Sequence, residues 1–452
     1  MLPKPRNIIV VGGNAAGPAA AAKAKRISPD SNVIMFEAGE FISTGTCELP
    51  YVLSNEIKDW KEIVFYNQET FEKEKGVKVY LNHLVEKIDR RKKTVTVLSK
   101  ISNQRYEQPY DSLILTTGSI AKYHPDLSKN LKNVFTLKNV KDYLSIKDYL
   151  AKNNVRKILI IGAGYIGLEA AESFKTLGYD VTLLEKENLP MPLADVEISH
   201  LIREILNENK VEFLCDAFDV KFKIEGDKFK SVIYKGWEFE FDLVLSAIGF
   251  EPNNYLAVSS SLQIGKSGGI KVDQKLRTSD SNIFAAGDNI EVKNKITGKD
   301  DYIPLATIAH NYGHIAGENA AGGNVYAKPV IKNAAVKIFD NYLSYVGINT
   351  KEAQENRFNF ASVTASANNI IKVMPNSRKV FGKILYEKYS QRILGAFFLG
   401  GNEVSGYADL ISSFIQNNIK VNELSNIQFN YTPPLSPFIN LLSILGRKIN
   451  KE

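Results

Sequence analysis

Cysteine is scarce: Cys47 and Cys215 are the only two in 452 residues. Two thiols so far apart in the chain suggest neither a disulfide framework nor a zinc ligand set. A reducing, cytoplasmic setting is the natural expectation. Long apolar runs are also missing. The first, Ile8 to Val11, stops at Gly12, and no stretch approaches the roughly 20 apolar residues needed to span a bilayer, so a soluble chain without a membrane partner is expected. Nor is there a block of one charge sign. Lys plus Arg exceed Asp plus Glu by 57 − 50 = 7, but the basic residues are interspersed with acids, which argues against a dedicated nucleic-acid surface. With 44% hydrophobic and 24% charged residues, 30 glycines and 16 prolines, the composition excludes extended disorder and collagen-like structure. At roughly 150 residues per domain, the length suggests about three domains.

Two segments about 150 residues apart share one plan. Asn7-Ile-Ile-Val-Val-Gly-Gly-Asn-Ala-Ala-Gly17 leads through an alanine-rich helical stretch to Arg26, then to Asn32-Val-Ile-Met-Phe-Glu37. Lys157-Ile-Leu-Ile-Ile-Gly-Ala-Gly-Tyr-Ile-Gly167 leads through a helix expected over Leu168 to Leu177 into Asp180-Val-Thr-Leu-Leu-Glu185. Each reads as strand, glycine turn, helix, strand and acid. In such a unit the first glycine makes the turn, the second lets backbone approach a diphosphate, and the third allows close packing of helix on strand. The unpaired N–H groups of the helix N-terminus receive the diphosphate, and the acid accepts from a ribose. Two units imply two dinucleotides. The second turn is complete, with Gly162, Gly164 and Gly167, whereas the first has Asn14 at the middle position.

Tyr110 to Gly118 and Phe241 to Gly249 form a second matched pair: an Asp, a buried-strand run and a small-residue turn. Ser281 to Asp288 then delivers another Asp at a glycine turn, so the first dinucleotide domain is expected to be discontinuous, with the second inserted in it. From about Val325 the chain changes to alternating Tyr/Phe-rich stretches and a helix over Asp409 to Asn417, an α+β third domain.

In this order the pieces resemble the two-dinucleotide flavoprotein disulfide reductases, and the resemblance covers essentially the whole chain. It implies an α/β, glutathione-reductase-like fold: an FAD-binding domain over 1–120 and 246–324, an NAD(P)H-binding domain over 121–245, and a C-terminal α+β dimerisation domain over 325–452. Phe41-Ile-Ser-Thr-Gly-Thr-Cys47-Glu-Leu-Pro-Tyr51 narrows it. This run resembles the single-cysteine branch, comprising coenzyme A disulfide reductases, NADH oxidases, NADH peroxidases and persulfide or polysulfide reductases. Glutathione-reductase-like members have a second cysteine five residues earlier, where this chain has Ile42.

The resemblance implies FAD around Gly12, Gly13, Ala15, Ala16 and Gly17, with Glu37 on the adenosine ribose and Ala38, Ser43 and Val85 nearby. Thr116, Thr117 and Gly118 would pass close to the cofactor. Gly287 and Asp288 would take the ribityl chain, and Leu305, Ala306 and Thr307 would open a helix toward the flavin. NADH, with NADPH as the alternative, would lie on Gly162, Gly164, Ile166, Gly167 and Gly249. Tyr165 would cover the flavin until displaced by nicotinamide, Glu169 would contact the carboxamide, and Glu185 would hold the ribose. Glu185 favours NADH by repelling a 2′-phosphate, while adjacent Lys186 acts the other way.

Cys47 would carry the sulfur chemistry. An unperturbed thiol, pKa about 8.5, is only a few per cent thiolate at neutral pH, and lowering its pKa by two units takes about 2.7 kcal/mol. A helix starting near Pro50 favours the thiolate, and Glu48 opposes it. Oxidase and peroxidase members have a histidine in the first turn where this chain has Ala15, which favours a disulfide, persulfide or polysulfide acceptor over oxygen. Tyr431, in Asn430-Tyr-Thr-Pro-Pro434, resembles the tyrosine that reaches from the partner of a homodimer to protonate a leaving thiolate. A second family tyrosine is absent from Lys372-Val-Met-Pro375, which leaves room for smaller per- or polysulfides. The rival readings are an NADH oxidase, a reductase of a protein electron carrier, and a redox sensor. Cys215, ending the apolar run Val211 to Leu214, reads as a buried hydrophobe. His310 and His314 have metal-ligand spacing but no apparent third ligand, so no metal is expected. The amphipathic stretch Phe438 to Ile449 suits dimer or core packing.

Overall fold

The computed structural model describes residues 5–450. The described residues divide into two compact units: 5–122, 138–144 and 250–330 form the first, and 123–137, 145–249 and 331–450 the second.

The first unit is built on a five-stranded parallel sheet. Strand β1 (Asn7–Val11) lies at its centre, paired on one side with β2 (Asn32–Phe36) and on the other with Ser112–Leu115. Lys78–Tyr80 and Ile283–Ala285 form the edges. Apart from the edge strand Lys78–Tyr80, which alternates, these runs are buried almost throughout because both faces of the sheet are covered. Helix α1 (Ala16–Ile27) connects β1 to β2 and packs against the Ala306–Ala320 helix. Small residues allow the close crossing: a Cβ at Gly313 would meet the Ala16 backbone, and one at Gly317 the Ala20 backbone. Lys23 and Glu318 pair across it at 2.9 Å.

After β2 the chain forms the short strand β3 (Ile42–Thr44), a 3₁₀ turn over Thr46–Glu48 and helix α2 (Leu49–Leu53), with proline in the first turn, where a missing N–H costs nothing. Strand β3 pairs antiparallel with β4 (Val64–Tyr66).

The second unit repeats the plan. Strand β5 (Lys157–Ile161), helix α3 (Tyr165–Thr176) and strand β6 (Asp180–Leu184) belong to a parallel sheet completed by Leu243–Ser246, Glu212–Leu214 and Val134–Phe135. Helix α3 starts at Tyr165, three residues before the sequence expectation, because extended Gly164 serves as its N-cap. The C-terminal part is a five-stranded antiparallel sheet with outer strands Asn333–Ile338 and Phe360–Asn368, together with helices Glu403–Gln416 and Leu441–Ile449. The apolar stripe of that last helix is buried through Leu441, Leu442, Leu445 and Ile449.

Within the second unit, Lys383 is nearly fully buried and its Nζ lies 3.1 Å from Asp195 and 2.8 Å from Glu197. Asp195 is equally buried and also accepts from the Thr350 N–H at 2.8 Å and hydroxyl at 2.9 Å. Lys383→Ala would leave the Asp195 carboxylate buried without its cation, at a cost of about 3–5 kcal/mol. The expected result is a clear fall in urea midpoint; an unchanged midpoint would refute this account of the cluster.

Cys215 departs from expectation. It is partly exposed rather than buried, and its Sγ donates to the Asp216 carboxylate at 3.5 Å. It follows the sheet strand Glu212–Leu214, where the chain leaves the core.

Candidate active site

The two glycine turns have the same construction. Gly12 and Gly162 have positive φ, +108° and +99°, and each donates its N–H to the last residue of the neighbouring strand, Phe36 O and Leu184 O, at 2.8 Å. A side chain at Gly12 would collide with Thr116 O, and one at Gly162 would approach Ala247 O to 2.6 Å. A Cβ at Gly17 would overlap the Gly12 carbonyl, and one at Gly167 the Gly162 carbonyl. The acids match as well. Glu37 accepts from Gly13 N at 2.7 Å and Gly39 N at 2.6 Å, and Glu185 from Ala163 N at 2.8 Å and Glu187 N at 3.1 Å. These bonds hold each acid at its turn.

The turns fit dinucleotides. A Cβ at Gly164 would have no atom within 4 Å, and the same holds at Gly118, φ +67°, and Gly249, φ +101°. The Ala306–Ala320 helix begins with no side-chain cap after extended Leu305, and Ala306 and Thr307 are exposed, so its first-turn donors can meet an anionic group. Buried Asn289 holds Leu115 O and Thr117 Oγ1 through Nδ2, at 3.0 and 3.1 Å, while its Oδ1 has no protein partner. The Tyr302 hydroxyl is buried as well; burial, and then the Asp288 charge, push its phenol well up. Asp288 accepts from Ser119 Oγ at 3.1 Å and faces Lys138 Nζ at 3.5 Å. Asn289, Ser119 and Lys138 were not singled out from the sequence; for Asn289 the available signal is its position directly after Asp288.

The first unit gathers Gly12, Gly13, Ala15, Ala16, Gly17, Glu37, Ala38, Ser43, Cys47, Val85, Thr116, Thr117, Gly118, Gly287, Asp288, Leu305, Ala306 and Thr307. Thr116 Oγ1 donates to Val11 O at 2.8 Å, Thr117 Oγ1 to Asn253 O at 2.6 Å, and Lys100 Nζ to Ala38 O at 2.6 Å. Gly287, φ +96°, leaves room for Ala16, and Val85 is buried. Cys47 is an exposed thiol in the Thr46–Glu48 3₁₀ turn. Glu48 folds its carboxylate over Gly45. Helix α2 is only five residues long, so its dipole contributes little to the thiolate.

The second unit holds Gly162, Gly164, Tyr165, Ile166, Gly167, Glu169, Glu185, Gly249 and Tyr431. The Tyr165 ring stacks on Tyr345 at 6.0 Å and 15°, and Tyr345 on Phe397 at 5.7 Å and 12°. The Tyr165 hydroxyl is buried, and burial, then the Tyr345 phenol beside it, raise its phenol well above 10. Tyr431 is 48% exposed and meets Phe438 edge-on at 5.4 Å. Near it Leu435, Phe438 and Ile439 are also exposed. The His310 and His314 Nε2 atoms lie 3.1 Å apart, and among the described residues no cluster of three or more metal-ligating side chains forms. No described helix is long and apolar enough to cross a membrane.

Two Rossmann-type dinucleotide turns define a protein of two dinucleotides, and an exposed thiol follows the segment tied to the first of them. The chain matches the pyridine nucleotide-disulphide oxidoreductase family over residues 6–313 and that family's dimerisation domain over 333–441, and it belongs to this family. It is 30% identical to an NAD(P)H sulfur oxidoreductase (CoA-dependent) of Pyrococcus abyssi over 98% of both chains. A coenzyme A disulfide reductase of Staphylococcus aureus is 29% identical over 98% of this chain and 99% of its own. The solved structure of an NAD-dependent persulfide reductase from A. fulgidus superimposes with a TM-score of 0.94 at 31% identity, over 98% of this chain and 83% of that one. The cofactors are accordingly FAD and NAD(P)H.

Proposed function

We propose that this FAD- and NAD(P)H-dependent oxidoreductase reduces a disulfide, persulfide or polysulfide through Cys47, as a homodimer in a reducing cytoplasm. The observation that carries the reading is an exposed thiol on a segment tied directly to the first glycine turn. Bound FAD supplies passage of an electron pair from reduced nicotinamide to sulfur.

Gly12, Gly13 and Gly17 hold the FAD diphosphate, Glu37 its ribose and Asp288 its ribityl chain; Gly162, Gly164, Gly167 and Glu185 hold the nicotinamide dinucleotide. Ala15, Ala16, Ala38, Ser43, Val85, Thr116, Thr117, Gly118 and Gly287 line the flavin side, and Leu305, Ala306 and Thr307 open the helix facing it. Tyr165, Ile166, Glu169 and Gly249 line the nicotinamide side. The Cys47 thiolate attacks the outer sulfur bond of the acceptor, forms a mixed disulfide and releases one thiolate. Tyr431 of the partner subunit protonates that leaving group. An electron pair delivered to the Cys47 sulfur then breaks the mixed disulfide and releases the second thiolate. The sum is NAD(P)H, a proton and a disulfide giving NAD(P)⁺ and two thiols. Exposed Leu435, Phe438 and Ile439 around Tyr431 suit burial against a second copy, in keeping with the family's dimerisation domain.

Anaerobic NADH consumption with polysulfide, coenzyme A disulfide, glutathione disulfide, peroxide and quinone tests the reading. Polysulfide or coenzyme A disulfide should give the highest kcat/KM. Turnover confined to peroxide, or in a parallel aerobic assay oxygen uptake without added disulfide and no turnover of the sulfur acceptors, would reassign the chain to the oxidases.

A further inference from the structure

The middle position of the first turn is where the two turns differ in function. Gly164 has open space, whereas Asn14 occupies the equivalent place in the first turn and its side chain is engaged. Asn14 Oδ1 accepts from the Thr44 N–H at 3.1 Å and lies 3.4 Å from the Thr44 hydroxyl, within hydrogen-bond range. One residue earlier, Gly13 O accepts from Ser43 N at 2.8 Å, and a side chain at Gly13 would collide with Ile42 at 2.6 Å. Adjacent residues of the turn thus grip β3 residue by residue, and Cys47 follows three residues after Thr44. Ser43 is held in the left-handed region, φ +51°, a conformation that persists in a non-glycine residue only when its surroundings over-determine it. The opposite edge of β3 pairs with β4, Ile42 with Tyr66 and Thr44 with Val64, and Gly45 N donates to Ile63 O at 2.7 Å just beyond it.

The geometry points to Asn14 as the positioning residue for Cys47: its side-chain carbonyl pins the cysteine-bearing segment to the turn that holds the FAD diphosphate. An asparagine at this place exchanges backbone freedom at the diphosphate for a lateral anchor on the redox loop. The inference rests on the reading of Cys47 as the redox thiol, and its test separates the two.

Holoenzyme carrying Asn14→Ala, and in parallel Asn14→Gly, which reproduces the residue of the second turn, is compared with the parent protein. Cys47 alkylation by iodoacetamide is followed against pH by peptide mass spectrometry, together with kcat and KM for NADH and polysulfide. Both variants should bind FAD and be reduced by NADH at the parent rate with unchanged KM for NADH. The alkylation profile should move by about half a pH unit or more, and kcat for polysulfide should fall about tenfold, as misplacement of a reacting group by a fraction of an ångström requires. Parent-like profiles and kcat in both variants would overturn the inference. So would loss of FAD from both, or an equal fall in flavin reduction and acceptor turnover, since either would assign Asn14 to the cofactor or to the fold. Retained turnover in Cys47→Ser would remove the redox reading while leaving the alkylation result to stand by itself.

Discussion

Cys47→Ser is expected to lower disulfide or polysulfide turnover by at least about 10³-fold, while FAD stays bound and NADH still bleaches the flavin. A serine hydroxyl cannot accumulate as an oxyanion near neutral pH, and it forms no bond that an electron pair from flavin could reductively cleave. The exchange is otherwise mild: the side chain is exposed, and the 3₁₀ turn bearing it is closed by backbone bonds, Glu48 N to Gly45 O at 3.3 Å and Gly45 N to Ile63 O at 2.7 Å. Stopped-flow flavin absorbance and anaerobic NADH consumption separate the two half-reactions. Cys215→Ser is the control, because that sulfur lies beyond the edge strand of the second unit's sheet and should alter neither. Full acceptor turnover in Cys47→Ser would sink the assignment.

The second large effect contrasts two glycines three residues apart. In Gly167→Ala the new methyl overlaps the Gly162 carbonyl, so α3 must lift from β5. Overpacking of this kind costs about 1–3 kcal/mol or more, and moving the helix N-terminus displaces the groups that would position nicotinamide. Flavin reduction by NADH should fall by about 10²-fold, with a lowered melting temperature and FAD retained by the first unit. Gly164→Ala meets no protein atom within 4 Å, and Gly164 has φ of −83°, which alanine adopts freely. Its stability should stay within about 0.5 kcal/mol of the parent, while KM for NADH rises tenfold or more because the methyl occupies space left for the diphosphate. Titration of flavin reduction against NADH, with thermal melts, checks both. An unchanged KM in Gly164→Ala would show that the dinucleotide does not use this turn.

Much of the architecture is legible from residue types because its constraints are local. Gly12 and Gly162 need positive φ, Gly17 and Gly167 must lie against the carbonyls of those first glycines, and an acid must end β2 and β6 to meet the turn N–H groups. Each requirement admits few residues at a set spacing, so the pattern announces itself twice. Apolar periodicity puts the start of α3 three residues late because it does not reveal that extended Gly164 caps the helix. The apolar run before Cys215 signals a strand but not where the chain leaves its sheet, so the partial exposure of this thiol is not legible in the sequence.

Other features join residues too far apart in the chain for any periodicity to connect them. Tyr165 finds Tyr345, Glu172 finds Lys337 at 2.8 Å, and Lys383 finds Asp195. Asn14 looks like a defect in a glycine motif until Thr44 is seen beside it. The sequence by itself determined two dinucleotide turns, their acids and a lone cysteine in a distinctive run, because steric limits on backbone conformation allow few residues at those points. Only the tertiary structure decided which side chains those turns hold in place, because long-range partners are selected by packing and by the cost of leaving buried polar groups unpaired, and neither leaves a spacing to read.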